Sequence, residues 1–133
     1  MARGRPALSG LEHQVMRIVW RKGTVTAEEV CAALPGNPKN ATVRTILRRL
    51  EHKNYVGHRS DGRAYVYEAR VAPEQAAAGA VRRIIDRFCG GSVEALLVSL
   101  VDAQVVEPAE LQELSRRVAR ARRSKGRQEA SDV

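Results

Sequence analysis

The segment Asn40–Leu50 constrains the fold of this chain more than any other stretch, because its apolar residues suit a helix and leave a basic face over. Wound at helical periodicity, it sets Val43, Ile46, Leu47 and Leu50 on one side and Thr42, Arg44, Thr45 and Arg48 on the other. The first side must be covered by other elements. The second has the chemistry to lie in a DNA major groove, where Arg pairs with guanine edges or phosphates and Thr meets phosphates or a thymine methyl. Close behind it, Asp61-Gly62 is a hairpin dipeptide between two runs of extended character, Tyr55–Arg59 and Ala64–Ala69. A basic helix followed by a basic hairpin is the order of a winged helix-turn-helix.

The flanking sequence supplies the rest of that outline. Ser9-Gly10-Leu11-Glu12 has capping-box spacing and opens a helix through Val15, Ile18 and Val19, beside Trp20, that Gly23 stops. Thr24-Val25 reads as a short extended link. Thr26-Ala27-Glu28-Glu29 is a second capping box, opening a short helix that ends before Pro35. The recognition segment then runs to about Lys53. Tyr65 and Tyr67 fall on one face of their strand and Val66 on the other.

After residue 71 the pattern becomes purely helical. Pro73 suits the first turn of a helix to Phe88. Gly90-Gly91 breaks it, Ser92 can cap the next helix, and Glu107-Pro108 opens a third, trailing into a basic tail from Arg116 to Arg127. Three short amphipathic helices bury little surface alone. Pairing with the same segment of a second chain, through Ile84, Ile85, Phe88, Leu96, Leu97, Leu100, Leu111, Leu114 and Val118, supplies the missing burial. The expected fold is therefore mainly α with a small β-hairpin wing. Residues 1–8 are a flexible basic arm, 9–71 a winged-helix DNA-binding domain, 72–124 a helical dimerisation domain and 125–133 a disordered tail.

Charge points the same way. The 133 residues carry a net +8, which favours a polyanionic partner. Residues 1–70 hold 13 Lys/Arg against 6 Asp/Glu, whereas residues 71–133 hold 10 against 9, so the positive field belongs to the first half and the second is balanced. No apolar run approaches the ~20 residues of a membrane span, and the N-terminus has no secretory pattern. The two cysteines, Cys31 and Cys89, lack metal-type spacing. A cytoplasmic protein without cofactor or metal is expected, its thiols reduced and packed as small apolar residues.

The candidate DNA contacts are Asn40, Thr42, Arg44, Thr45 and Arg48 on the helix, with Arg59 and Arg63 of the wing holding backbone phosphates. Arg3 and Arg5, in Arg3-Gly4-Arg5-Pro6, have the composition of an AT-hook core that fits a narrow minor groove; a disordered basic leader is the alternative. Catalysis finds no support. His13, His52 and His58 lack a paired nucleophile, and there is neither a phosphate-binding glycine loop nor a zinc-protease motif.

Taken together, Leu11–Trp20, Thr42–Leu50, the Tyr65-Val66-Tyr67 strand, the Gly90-Gly91 break and the Glu110–Leu114 helix resemble the penicillinase-repressor (BlaI/MecI/CopY) family over about residues 8–122. The resemblance implies a homodimer with N-terminal winged helices and intertwined C-terminal helices, repressing by covering a dyad-symmetric double-stranded DNA operator. It places Thr42, Arg44 and Thr45 at the operator-contacting positions, and puts Ala41 where lysine occurs in the family. It also implies a membrane sensor-protease as a partner, although Ser99-Leu100 stands where antibiotic-responsive members are cut at Asn-Phe. The Cys-x-Cys pairs of copper-responsive members are missing after Cys89. Two other readings stay open: a nucleoid-type binder without sequence preference, and an adaptor whose winged helix docks a protein.

Overall fold

A computed structural model describes residues 5–131, with side chains to residue 127. The order is α1 (Gly10–Lys22), β1 (Thr24–Val25), α2 (Ala27–Ala33), α3 (Asn40–His52), β2 (Val56–Asp61), β3 (Ala64–Ala69), α4 (Pro73–Phe88), α5 (Val93–Asp102) and α6 (Pro108–Ser131). The chain divides into two compact units, Met1–Ile84 and Ile85–Val133. The division falls inside α4 and not at residue 71/72, because Ala76 in the first turn of α4 still packs on the N-terminal core.

Local chemistry sets the helix ends of the first unit. Ser9 Oγ accepts from the Glu12 amide at 3.2 Å while Glu12 Oε1 accepts from the Ser9 amide at 2.8 Å. Thr26 and Glu29 repeat the exchange at the start of α2, so both capping boxes form. Gly23 closes α1 at φ 89°, a conformation that suits glycine, with its amide on the Val19 carbonyl. The three helices bury Val15, Met16 and Val19 of α1, Val30 of α2, and Val43, Ile46, Leu47 and Leu50 of α3 in one core with Val25, Tyr55, Val56, Tyr67 and Val71. Trp20 Nε1 donates to the Val71 carbonyl at 2.8 Å, tying α1 to the chain beyond the wing.

The wing differs from a lone hairpin. Thr24-Val25 is a strand, pairing antiparallel with β3 through Thr24–Glu68 and Val25–Tyr67, so the sheet has three strands in the order β1-β3-β2. Register pairs Asp61 with Ala64, which centres the turn on Gly62-Arg63, one residue later than the Asp61-Gly62 signal. Gly62 has φ 68° and Arg63 has none of the positive-φ geometry, the pattern of a type II′ hairpin.

Two terminal expectations are corrected. Residues 5–8 are not a free arm: Arg5 Nε donates to the Asn54 carbonyl at 2.6 Å, Tyr55 Oη to the Pro6 carbonyl at 2.7 Å, Lys53 Nζ to the Ala7 carbonyl at 2.9 Å, and Arg83 Nη1 to the Arg5 carbonyl at 2.7 Å. The backbone carbonyls of this strap find donors on the body, so it lies down as a fastened strand of chain. At the other end α6 continues to Ser131, past residue 125 where disorder was expected. The run is rich in Arg and Ala, both good helix formers.

In the second unit Ser92 Oγ caps α5 by accepting from the Ala95 amide at 3.1 Å. Glu113 meets the tail arginines, 3.6 Å from Arg116 and from Arg120. Burial is sparse here. Beyond Val71, Ile85 is the one large apolar side chain that is buried among the described residues, while Phe88 is 82% and Val118 60% exposed.

Candidate nucleic-acid interface

Helix α3 presents the two faces its sequence requires. Val43, Ile46, Leu47 and Leu50 are buried, and Asn40, Ala41, Thr42, Arg44, Thr45, Arg48 and Arg49 are exposed. Arg44 and Arg48, one turn apart, line a cleft of about 750 Å³ between α3 and the wing, whose other wall includes His58, Arg63 and Tyr65. Three guanidinium groups thus border one concave surface. None of the three has a carboxylate partner among the described residues. Guanidinium groups left without carboxylates are available to phosphates and base edges.

Not every candidate joins that surface. Residues alternate sides along a strand, so Arg59 points to the opposite side of β2 from His58 and away from the cleft that Arg63 borders. The two wing arginines are therefore not equivalent. Asn40 is exposed at the start of α3, but its Oδ1 accepts from Cys31 Sγ at 2.9 Å. Thr45 spends its hydroxyl hydrogen on the Ala41 carbonyl at 3.0 Å, which leaves the methyl group as its outward chemistry. Arg5 is engaged in the strap, with its guanidinium 6.0 Å from the Tyr55 ring; Arg3 lies outside the described residues.

One set of residues that sequence reasoning missed holds this surface in shape. His58 Nδ1 lies 2.8 and 2.7 Å from the two carboxylate oxygens of Glu51, joining β2 to the last turn of α3. The same imidazole stacks on Tyr65 at 4.5 Å and Tyr67 at 5.6 Å between ring centroids. The latch ties β2, and with it the hairpin that carries Arg63, to the helix that carries Arg44 and Arg48. Burial of Tyr67, with Glu51 adding to it, raises its phenol pKa against the opposing charges of Arg48 and Arg44, so the ring remains a neutral wall.

A second ion pair supports α3 from behind. Lys53 Nζ meets the buried Glu12 carboxylate at 2.7 Å, linking the end of α3 to the capping box of α1. Burial alone would raise the Glu12 pKa. Hydrogen bonds from Lys53 and the Ser9 amide, together with the Lys53 charge, override it and hold the carboxyl below its ordinary value.

The remaining candidates lie in the helices. Among the nine apolar residues expected to pair with a second chain, only Ile85 is buried; Ile84, Phe88, Leu97, Leu114 and Val118 are exposed, and Leu96, Leu100 and Leu111 half-buried. Ser99 and Leu100 sit within α5, and the Ser99 hydroxyl donates to the Ala95 carbonyl at 2.6 Å. Among the described residues no helix is long and apolar enough to cross a membrane, and no cluster could hold a metal ion.

A helix-turn-helix with a three-stranded wing and an arginine-lined groove defines a winged-helix DNA-binding transcription regulator. The chain matches the penicillinase repressor family over residues 8–120 and belongs to it, a family of regulators and not of enzymes. The penicillinase repressor of Bacillus licheniformis is 25% identical over 113 residues, covering 82% of this chain and 87% of its own. The methicillin resistance regulatory protein MecI of Mammaliicoccus sciuri is 25% identical over 111 residues, covering 80% and 89%. The solution structure of the DNA-binding domain of the repressor BlaI aligns with a TM-score of 0.49 and 26% identity over 56% of this chain and 93% of that one.

Proposed function

We infer that this protein is a cytoplasmic, homodimeric transcriptional repressor in which each subunit lays α3 in a major groove, the pair covering a two-fold operator. The observation that carries the reading is the outward face of α3: exposed Thr and Arg without large apolar anchors, continuous with Arg63 of the wing. A protein-docking winged helix would expose apolar side chains there, so the adaptor reading loses its support. In this reading Arg44 and Arg48 divide guanine and phosphate contacts, Thr42 meets the backbone, and the Thr45 methyl packs on a thymine methyl. Arg63 follows a phosphate across the groove, and Arg59 takes one only if the duplex reaches its side of the wing. Dimerisation is supported by the uncovered faces of α4, α5 and α6, and repression by the names of the relatives.

Selection of duplexes from a random pool with the full chain tests this. Enriched sequences should contain inverted half-sites whose centres are about one helical turn (~10 base pairs) or a multiple apart. Enrichment of nothing above the starting pool would replace the repressor with a non-specific binder. A membrane sensor-protease partner would have to unwind α5 to reach the Ser99-Leu100 bond. Limited proteolysis should therefore spare that bond while α5 is folded, and rapid cutting there in the free dimer would show that the bond is reached without unwinding.

A further inference from the structure

The near-zero balance of the second half conceals a segregation that the helix makes spatial. Residues 71–115 carry three Arg and seven Asp/Glu, whereas residues 116–127 carry seven Lys/Arg and no acid. Because α6 is continuous to Ser131, those charges are arranged by helical geometry. At about 100° per residue, Arg116, Arg120, Arg123 and Arg127 fall within roughly 60° of one another, a single stripe about 16 Å long. Leu111, Leu114, Val118 and Ala121 fall on the opposite side by the same count. Every side chain from 112 to 127 is exposed. Arg116 and Arg120 each meet Glu113, at the stripe's first turn, in loose contacts of 3.6 Å between side chains more than half exposed.

We propose that the Arg116–Arg127 stripe of α6 is a second DNA-binding surface, one that grips backbone phosphates outside the sequence read by α3. This rests on the DNA-binding reading of the winged helix. Over such a length a duplex presents on each strand a phosphate about every 3.4 Å of its axis, and guanidinium groups match phosphate oxygens bidentately. An acidic membrane fits less well. A helix lying in a bilayer surface inserts its apolar side, and within residues 116–127 the only large apolar residue is Val118. Inserting that side would also turn the arginine stripe away from the headgroups.

The test is the salt dependence of the full chain on a random-sequence duplex of about four helical turns (~40 base pairs). Replacing all four arginines by glutamine (R116Q/R120Q/R123Q/R127Q) should lower the magnitude of the log–log slope by roughly 3 to 4 per subunit, at about 0.9 per phosphate contact. The matching four-lysine variant should retain it. An unchanged slope in the glutamine variant, with helix content intact by circular dichroism, overturns the proposal. So does binding to phosphatidylserine vesicles that the glutamine variant loses while its DNA slope stays put. The R44A/R48A variant separates the two readings: if it leaves the slope unchanged while the stripe variant lowers it, the α3 interface fails and the stripe stands.

Discussion

Between Val15 and Val71 fifteen apolar side chains are buried in one core, whereas beyond Val71 only Ile85 is buried among the described residues. The first unit has satisfied its apolar surface within one chain: three helices and a three-stranded sheet enclose it, and the strap from Arg5 to Leu8 fastens its edge. The second has helices with open faces, one of them, α5, capped by Ser92. Both units have formed secondary structure, so helix formation is not what separates them. The difference lies in packing. One unit should respond to mutation as a folded domain does, and the other as half of an interface.

The largest expected effect breaks or keeps that contrast directly. Leu47→Ala, fully buried in α3, should cost about 3 kcal/mol, within the 2–5 range for such truncations. It is read from the unfolding midpoint of Trp20 fluorescence. Leu114→Ala in dilute protein should cost far less by the same probe, and equal losses would dissolve the distinction. Next in size, Phe88→Asp should weaken self-association at least tenfold in sedimentation experiments, as expected for a large apolar anchor at an interface. Its Trp20 unfolding midpoint should stay put, and an unchanged sedimentation profile would remove Phe88 from the interface.

Acid should find the first unit at Glu12. Its carboxyl pKa is lowered on folding, so the stability it contributes is present above the unfolded value of about 4.3 and is lost as pH falls through the folded value. Glu12→Gln keeps the capping-box geometry but removes the charge facing Lys53. It should cost about 1.5–3 kcal/mol at neutral pH, the range for hydrogen bonds to charged groups. The gap from the parent should narrow as pH falls through the lowered folded pKa; a gap independent of pH would show that the pair acts through packing.

The finest comparison lies within the interface. Arg44→Ala should lose about 1–3 kcal/mol on the selected sequence and discriminate less between bases. Arg63→Ala should weaken all duplexes alike and reduce the salt slope by about 0.9. Identical behaviour would mean that both arginines hold phosphates.

Much of this arrangement is legible in sequence because its causes are local. The Ser9 and Thr26 boxes involve residues three apart, and the stripe of α3 repeats within two turns. Thr24-Val25 escaped notice as a strand because two residues have no period, and only β3, more than forty residues on, makes them one. The strap was hidden for the same reason, since Arg5 finds its acceptor at Asn54. His58 looked solitary because its partner, Glu51, lies on the far side of a turn that swings β2 back across the end of α3. The unequal roles of Arg59 and Arg63 were within reach: period-two alternation from His58 separates them once the turn is centred on Gly62-Arg63. The α6 stripe is equally periodic: Arg116, Arg120 and Arg123 fall within the expected helical domain of 72–124, and the continuation of α6 past residue 125 adds Arg127.

Helix α3 also has a consequence on an evolutionary scale. Its inner residues are held by the core, while Thr42, Arg44 and Arg48 are exposed and outside that core, and the Thr45 hydroxyl bonds within its own helix. Exchanges at these outer positions can therefore accumulate at little cost in stability, whereas a change at Val43 or Leu47 is resisted from every side. Lineages descending from such a chain can acquire new target sequences, and so new regulons, while inheriting the same scaffold unchanged.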